Sequence, residues 1–381
     1  MAEGSRRPAR VEVDLGAISE NAAVLARIAA PAELCAVVKA DAYGHGAVPV
    51  AAAALRGGAS ELAVALVDEG VELREAGITA PILVLSEPGR EAMAEAFARR
   101  LTPTIYTPDG VALARHAAGA RGGGPWPVEV KVDTGMHRVG VAPSDAPGLV
   151  AAVASSGVLA FGGLWTHFAL ADEVDDDFTE LQIERFLGVR KALADAGLPD
   201  PGRLHAANSA GAIAWPAARF DLVRCGIALY GYSPGRAVTP RLEAAGAHLR
   251  RALSWKARVT YVQRLGVGEA VSYGLRSPLE VPSNVATVPL GYGDGIPRAY
   301  FERGGEVLVN GRARHLAGTV TMDQIMVDCS GDDVRPGDEV VLIGSQGDAR
   351  LTADDWADRL GTISYEIITR IGARVPRVHL P

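Results

Sequence analysis

A lysine that closes a buried-looking strand is the first residue of this chain with chemistry to offer. Lys39 follows the apolar run Leu34-Cys35-Ala36-Val37-Val38 and opens the turn Ala40-Asp41-Ala42-Tyr43-Gly44-His45-Gly46. An amine that loses water at a strand end has a lowered pKa, and its neutral form condenses with a carbonyl to give a Schiff base. Taken singly, such a lysine is equally a surface residue whose stem lies along apolar neighbours. Arg224 and His167 face the same choice, one as a strand-end surface arginine and the other as a satisfied core histidine. What decides is the company they keep.

The segment Ala36-Val37-Val38-Lys39-Ala40-Asp41-Ala42-Tyr43-Gly44-His45-Gly46-Ala47 resembles the pyridoxal-phosphate attachment motif of bacterial alanine racemases. Further matches occur in order along almost the whole chain. They include Lys131-Val132-Asp133-Thr134-Gly135-Met136-His137-Arg138, Thr166-His167-Phe168, His205-Ala206-Ala207-Asn208-Ser209 and Asp221-Leu222-Val223-Arg224-Cys225-Gly226-Ile227. The last group is Val271-Ser272-Tyr273-Gly274, Gly291-Tyr292-Gly293-Asp294-Gly295, Thr321-Met322-Asp323-Gln324 and Tyr365-Glu366-Ile367. One match of this kind is weak; an ordered series is not.

The resemblance implies a pyridoxal 5'-phosphate enzyme that interconverts L- and D-alanine and supplies D-alanine for peptidoglycan. Lys39 would carry the cofactor. Tyr43, Ser209, Gly226, Ile227 and Tyr365 would surround its phosphate end, where backbone N–H groups and hydroxyls suit an anion, and Asn208 would also contact the cofactor. Arg224 would stand at the pyridine nitrogen. An arginine, with a pKa above about 12, cannot hand that nitrogen a proton, which disfavours transamination. Racemisation needs a base on each face of Cα: Lys39 on one, and on the other Tyr273 from the partner subunit of a homodimer with shared sites. Tyrosine's reference pKa of about 10 is high for a base near neutrality, so its phenolate needs support. The resemblance assigns that to His167, bonded to Arg224. Arg138 and the backbone N–H of Met322 would hold the substrate carboxylate. Lys131 occupies the position of a carbamylated lysine that orients the arginine. Tyr292, Arg298 and Asp323 would line a narrow mouth that favours a small side chain. A broad-specificity or serine racemase of the same fold is the alternative. Two residues depart from the family pattern: Cys225 stands where proline is common and Gly293 where alanine is common.

Composition sets the outer bounds. A chain of 381 residues, 48% apolar and 22% charged, has room for two domains and a large core. Its net charge of −7 disfavours non-specific nucleic-acid binding. Three scattered cysteines, Cys35, Cys225 and Cys329, make no disulfide framework and no zinc spacing, so a reducing, cytoplasmic location without a metal is expected. The basic stretch at residues 1–10 has no apolar region after it, so no secretory signal is expected, and no apolar run approaches a membrane span.

The elements that must hold these residues emerge from periodicity. Short apolar runs at 34–39, 62–66, 81–85, 102–106, 127–133, 160–167, 203–207 and 222–228 alternate with Ala-rich stretches of helical spacing. Eight such units predict a TIM-type (βα)8 barrel over residues 14–245. Beyond it, runs at 254–262, 286–290, 306–310 and 338–343 alternate with period two. They predict a mainly β domain over 246–381, joined by the early strand at 10–13 and carrying a hairpin at Asn310-Gly311. In such a barrel the catalytic groups belong at the C-terminal ends of the strands, where Lys39, Arg138, His167, Asn208 and Arg224 fall in this reading.

Overall fold

Strands buried on both faces read as unbroken apolar runs, and this chain uses them to build a parallel barrel. A computed structural model describes residues 7–381, so the first six residues of the basic N-terminal stretch lie outside the described residues. The chain divides into two compact units. Gly16–Ala42 and Ala47–Arg251 form one; Tyr43–Gly46 and Ala252–Pro381, with the first strand, form the other.

Strand β1 (Ala9–Asp14) belongs to the second unit. The first unit holds β2 (Glu33–Val37), β3 (Glu61–Val64), β4 (Ile82–Val84), β5 (Thr102–Ile105), β6 (Trp126–Lys131), β7 (Leu159–Trp165), β8 (Leu204–His205) and β9 (Leu222–Cys225). All neighbours are parallel, in the order β8-β7-β6-β5-β4-β3-β2-β9. β2 pairs with β9 through Cys35 opposite Arg224. Between β8 and β9 the gap is bridged by Asp221 N–H donating to Leu204 O (3.0 Å) and Arg224 N–H to Ala207 O (2.9 Å), which nearly closes the barrel. All eight strands expected from the apolar runs are present; each ends earlier than expected, and β2, β3, β6 and β7 begin one residue sooner.

The covering helices bury one stripe each. In Phe178–Asp195 the buried residues Ile183, Phe186, Val189 and Leu193 recur every three or four positions. Each such side chain contributes roughly 1.5–3 kcal/mol on burial. Gln182 on the same helix turns a polar group inward. Its amide bonds the Thr134 hydroxyl (3.1 Å) and His167 O (3.1 Å), and its oxygen accepts from Ala169 N–H (2.9 Å). The helix thereby ties down the loops after β6 and β7.

The second unit contains a seven-stranded sheet in the order β14-β13-β16-β10-β1-β18, with β17 on β16, and a three-stranded sheet β11-β12-β15. Its later strands are β10 (Leu253–Arg258), β11 (Tyr261–Leu265), β12 (Ser283–Val288), β13 (Glu306–Val309), β14 (Arg312–His315), β15 (Ile325–Asp328), β16 (Glu339–Gln346), β17 (Ala349–Leu351) and β18 (Arg377–Leu380). β1 joins as its alternation suggests: Val11 and Val13 are buried and Val11 lies opposite Trp255. Asn310 and Gly311, with φ of 50° and 74°, form the tight turn between β13 and β14. One expectation needs correcting. The run at 254–262 is two strands, because at Val259 and Thr260 the backbone changes partner: Val259 N–H bonds Asp338 O and Thr260 N–H bonds Thr287 O. The chain therefore leaves one sheet and enters the other within an unbroken period-two pattern. Among the described residues no helix is long and apolar enough to cross a membrane.

Candidate active site

Lys39 stands two residues beyond β2, whose last carbonyl, Val37 O, accepts the buried Tyr230 hydroxyl at 2.8 Å. The backbone then takes an unusual hand. Ala40, Asp41, Ala42 and Tyr43 all have φ between 51° and 54°, and Gly44 has 81°, so Lys39–Gly44 is one turn of left-handed helix. That hand costs roughly 1–2 kcal/mol for each L-residue. Three sets of bonds hold the start of the turn. Glu69 Oε1 accepts from Ala40 N–H (2.6 Å), Glu69 Oε2 accepts from Ala65 and Leu66 N–H (2.7 and 3.0 Å), and Asp41 Oδ1 accepts from Ala47 N–H (2.7 Å). Glu69 thus links the ends of β2 and β3, a role that its sequence context, an acidic residue in the first turn of a helix, does not announce. Burial and the Arg138 cation lower the Lys39 pKa, against the pull of Glu69. Its amine is thereby shifted toward the neutral, nucleophilic form.

Lys131, the last residue of β6, is only 3% exposed and lies 4.6 Å over the Trp165 ring. Burial, Arg138 and Arg224 bring its pKa down to about 7. Arg138 projects from the loop after β6. That loop is shaped by Asp133 Oδ1, which accepts from Gly135 and His137 N–H, and by Arg185, which bonds Thr134 O (2.9 Å). Among the described residues the Arg138 guanidinium makes no ion pair or hydrogen bond, which leaves a forked donor ready for a carboxylate.

Arg224, near the end of β9, is 3% exposed and heavily engaged. Its Nη1 donates to His205 Nδ1 (2.7 Å). Its Nη2 donates to Thr166 O (2.7 Å) and Ala206 O (3.0 Å) and approaches His167 Nδ1 (3.5 Å). Trp165 lies flat against it, 4.6 Å from Cζ. Its pKa falls to about 10 through burial, so it remains a cation at neutral pH. Among the described residues its Nε–H makes no hydrogen bond. His167 is held far below its ordinary pKa by burial and by Arg224, Arg138, Lys131 and Lys39. It is therefore neutral. Because a guanidinium can only donate, the close Arg224 contact assigns the lone pair to Nδ1 and the proton to Nε2.

Ser209 opens the short helix Ser209–Ala214, with Asn208 as its cap: Asn208 Oδ1 accepts from Gly211 N–H at 2.9 Å. The Ser209 hydroxyl oxygen accepts from Gly226 N–H (3.0 Å) and from Ala228 N–H (3.4 Å), drawing the Gly226-Ile227 backbone against it. Neighbouring Cys225 is fully buried and its thiol is pushed up to about 12, so it is an unreactive filler. Among the described residues no group of three or more His, Cys, Asp or Glu side chains is placed to hold a metal ion.

The second unit carries the remaining residues. Tyr43 and Tyr365 meet with ring centroids 6.1 Å apart. Tyr292, Met322 and Asp323 are brought together by Tyr292 N–H on Thr321 O and Gly293 N–H on Met322 O, both 2.9 Å. Arg374 bridges buried Asp294 (3.5 Å) and Asp323 (2.7 Å). A Cβ at Gly293 would lie 2.5 Å from Arg374 Nη1, so an alanine there would push the end of that half-exposed side chain aside. Tyr273 is 73% exposed. Its turn is pinned by Ser272 Oγ donating to Thr319 O (2.6 Å) and Thr319 Oγ1 donating to Tyr273 O (3.1 Å).

Known proteins resemble this chain over nearly all of its length. The family patterns described as "Alanine racemase, N-terminal domain" and "Alanine racemase, C-terminal domain" match residues 13–234 and 252–379. An alanine racemase of Thermobifida fusca (strain YX) is 45% identical over 97% of this chain and 98% of its own length. The crystal structure of alanine racemase from D-cycloserine-producing Streptomyces lavendulae superposes with a TM-score of 0.92 at 39% identity, covering 99% of this chain and 98% of that one. A Bacillus anthracis alanine racemase with bound L-Ala-P gives 0.91 at 37%, covering 99% and 96%. The chain belongs to the alanine racemase family and is, with it, an isomerase.

Proposed function

We propose that the chain interconverts L- and D-alanine with pyridoxal 5'-phosphate, with Lys39 and Tyr273 of the partner subunit serving opposite faces of Cα. The observation that carries the reading is the setting of Arg224. Nη2 is spent on Thr166 and Ala206 and Nη1 is tied to His205, while Nε–H makes no hydrogen bond among the described residues and is free for a ring nitrogen. The rest of the rim fits the same group: an amine of lowered pKa at Lys39 for its aldehyde, and for its phosphate the Ser209 hydroxyl, which accepts from Gly226 N–H and keeps its own proton to donate, with the Gly226-Ile227 backbone drawn against it. To these the family pattern adds Tyr43 and Tyr365. When bound, the cofactor draws electron density from the Cα–H bond, and a cation that cannot protonate its ring keeps that pull moderate, so a proton returns to Cα.

The chain's own groups do the rest. Lys39, released as a free amine, takes or returns the proton on its own face. Tyr273 of the partner subunit acts on the other, its phenolate accepting from His167 Nε2–H. In support, Tyr273 lies 73% exposed on a braced turn and is flanked by Leu275 at 63%, an apolar surface of the kind another subunit covers. Arg138 and the Met322 N–H hold the carboxylate. Tyr292, Arg298 and Asp323 restrict the mouth to a small side chain. The product D-alanine would serve peptidoglycan synthesis. The test is chiral chromatography of L-alanine incubated with the purified holoenzyme, with L-serine and L-lysine in parallel. Conversion of alanine alone toward an equal mixture supports the reading, comparable rates on all three make it a broad-specificity racemase, and conversion of none contradicts it.

We assign Lys131 as a carbamate facing Arg138. Carbon dioxide adds only to a neutral amine, and a pKa near 7 makes Lys131 neutral where an ordinary lysine is charged. In ¹³C-bicarbonate a carbamate signal is expected that grows as the pH rises through about 7 and is missing from Lys131→Ala. The same variant should raise KM for alanine roughly tenfold, the scale of one charge-assisted hydrogen bond to the carboxylate. A wild-type protein without the signal across that range would rule the carbamate out.

A further inference from the structure

Barrels of this type are usually filled by layers of Val, Ile and Leu. This one is crossed by a chain of ionisable side chains. Arg203, just before β8, donates to Glu61 on β3 (2.5 Å) and reaches Glu129 on β6 (3.4 Å). Glu129 Oε2 bonds His205 Nε2 (2.8 Å), and His205 Nδ1 bonds Arg224 Nη1 (2.7 Å). Glu61 and Glu129 are 1% exposed and His205 fully buried. An ionised carboxylate in such a place costs several kcal/mol of desolvation, and apolar residues would serve stability as well or better. The arrangement has a direction. Arg224 can only donate, so His205 Nδ1 is the acceptor and its proton sits on Nε2, where Glu129 receives it. Trp165 stacks on the same imidazole (5.7 Å, 14°) and on the guanidinium, so neither plane is free to turn. Burial raises the Glu129 pKa, but His205, Arg203 and Arg224 outweigh it and keep the carboxylate ionised.

We propose that Glu129 is a positioning residue for the reaction: through His205 it fixes the Arg224 guanidinium with Nε–H aimed at the cofactor's ring nitrogen. This rests on the reading of Arg224 given above. Glu129→Gln is the informative change. A neutral amide has one acceptor oxygen where the carboxylate has two: with the oxygen on Arg203 its NH2 faces His205 Nε2 and forces the imidazole proton to Nδ1, against a guanidinium N–H; with the oxygen on His205 it holds Nε2–H without the charge that strengthened the bond. Either way Arg224 loses the partner that fixes it.

The test uses cofactor-loaded enzyme and reads the visible absorption spectrum, kcat and KM for L-alanine, and the melting temperature. Glu129→Gln is expected to shift the absorption of the bound cofactor and to lower kcat about ten- to a hundredfold, the scale of losing the partner behind a functional histidine. KM should stay within about threefold, since the loss falls on the reacting centre and not on carboxylate binding. His205→Asn keeps an acceptor for Arg224 but cannot reach Glu129. It should give the same shift, and the double variant should go no further than either single one. A lowered melting temperature with unchanged spectrum and kcat, or additive effects in the double variant, would overturn the proposal. If Glu129→Gln does not fold, Glu129→Asp, which keeps the charge but falls short of His205, carries the same test. Arg224→Lys separates the two levels. A changed spectrum there with none in Glu129→Gln and His205→Asn sinks this inference alone, and no change in any of them sinks the reading of Arg224 as well.

Discussion

Lys39→Ala protein is expected to bind pyridoxal phosphate without a covalent bond and to lose alanine racemisation by about 10⁴-fold or more, since a nucleophile and a general base vanish together. Borohydride, which fixes the cofactor on wild-type protein, should leave the variant unlabelled. The fold should survive. The left-handed turn that presents Lys39 is held by Glu69 and Asp41, and neither bond involves the lysine side chain. The cofactor-free variant should in fact melt no lower than wild type at neutral pH. A lysine whose pKa is lowered in the folded state destabilises it below that pKa, because the unfolded chain binds the proton more tightly, and the penalty fades as pH rises toward the unfolded value near 10.5. Removing Lys39 removes the penalty, so any gain should shrink with rising pH. Substantial racemisation by Lys39→Ala would place the base elsewhere.

Tyr273→Phe should lower racemisation of alanine by about 10²- to 10⁴-fold in both directions, the range for loss of one acid–base group. The ring stays where the Ser272 and Thr319 bonds put it, and only the hydroxyl is lost. Because that residue is exposed in the single chain, stability should change by no more than about 0.5 kcal/mol. The more telling readout is hydrogen exchange in D2O. With Lys39 intact on one face, one enantiomer of alanine should still exchange its Cα hydrogen without inverting, while the other exchanges slowly. Equal exchange of both enantiomers at the wild-type rate would mean that a single base serves both faces.

Much of this was legible because the informative residues lie in short, contiguous stretches. Lys39, Arg224 and Ser209 each sit in a local motif at a strand end, and the strands behind them are apolar runs that parallel pairing buries on both faces. What was not legible depends on partners far along the chain. Of Ala40-Asp41-Ala42-Tyr43 only Asp41 is a type that tolerates positive φ, and a run of four is not suggested by it; Glu69, 29 residues from Ala40, helps hold that turn. Glu129 reads as a polar break in an apolar strand, and its partner His205 is 76 residues away. The division of residues 254–262 between two sheets is likewise invisible, because an alternating pattern satisfies either partner. Tyr273 is 73% exposed on its own chain, and the groups proposed to face it belong to another.

A site that takes Lys39 from one chain and Tyr273 from the other is tested most directly by co-producing Lys39→Ala and Tyr273→Phe chains with different tags and purifying the mixed dimer. Each variant alone is nearly inactive. In the mixed dimer one site has both residues and the other has neither, so about half of the wild-type activity per dimer is predicted from the symmetry of a two-fold assembly. A mixed dimer that binds cofactor yet stays as inactive as its parents would contradict the shared site.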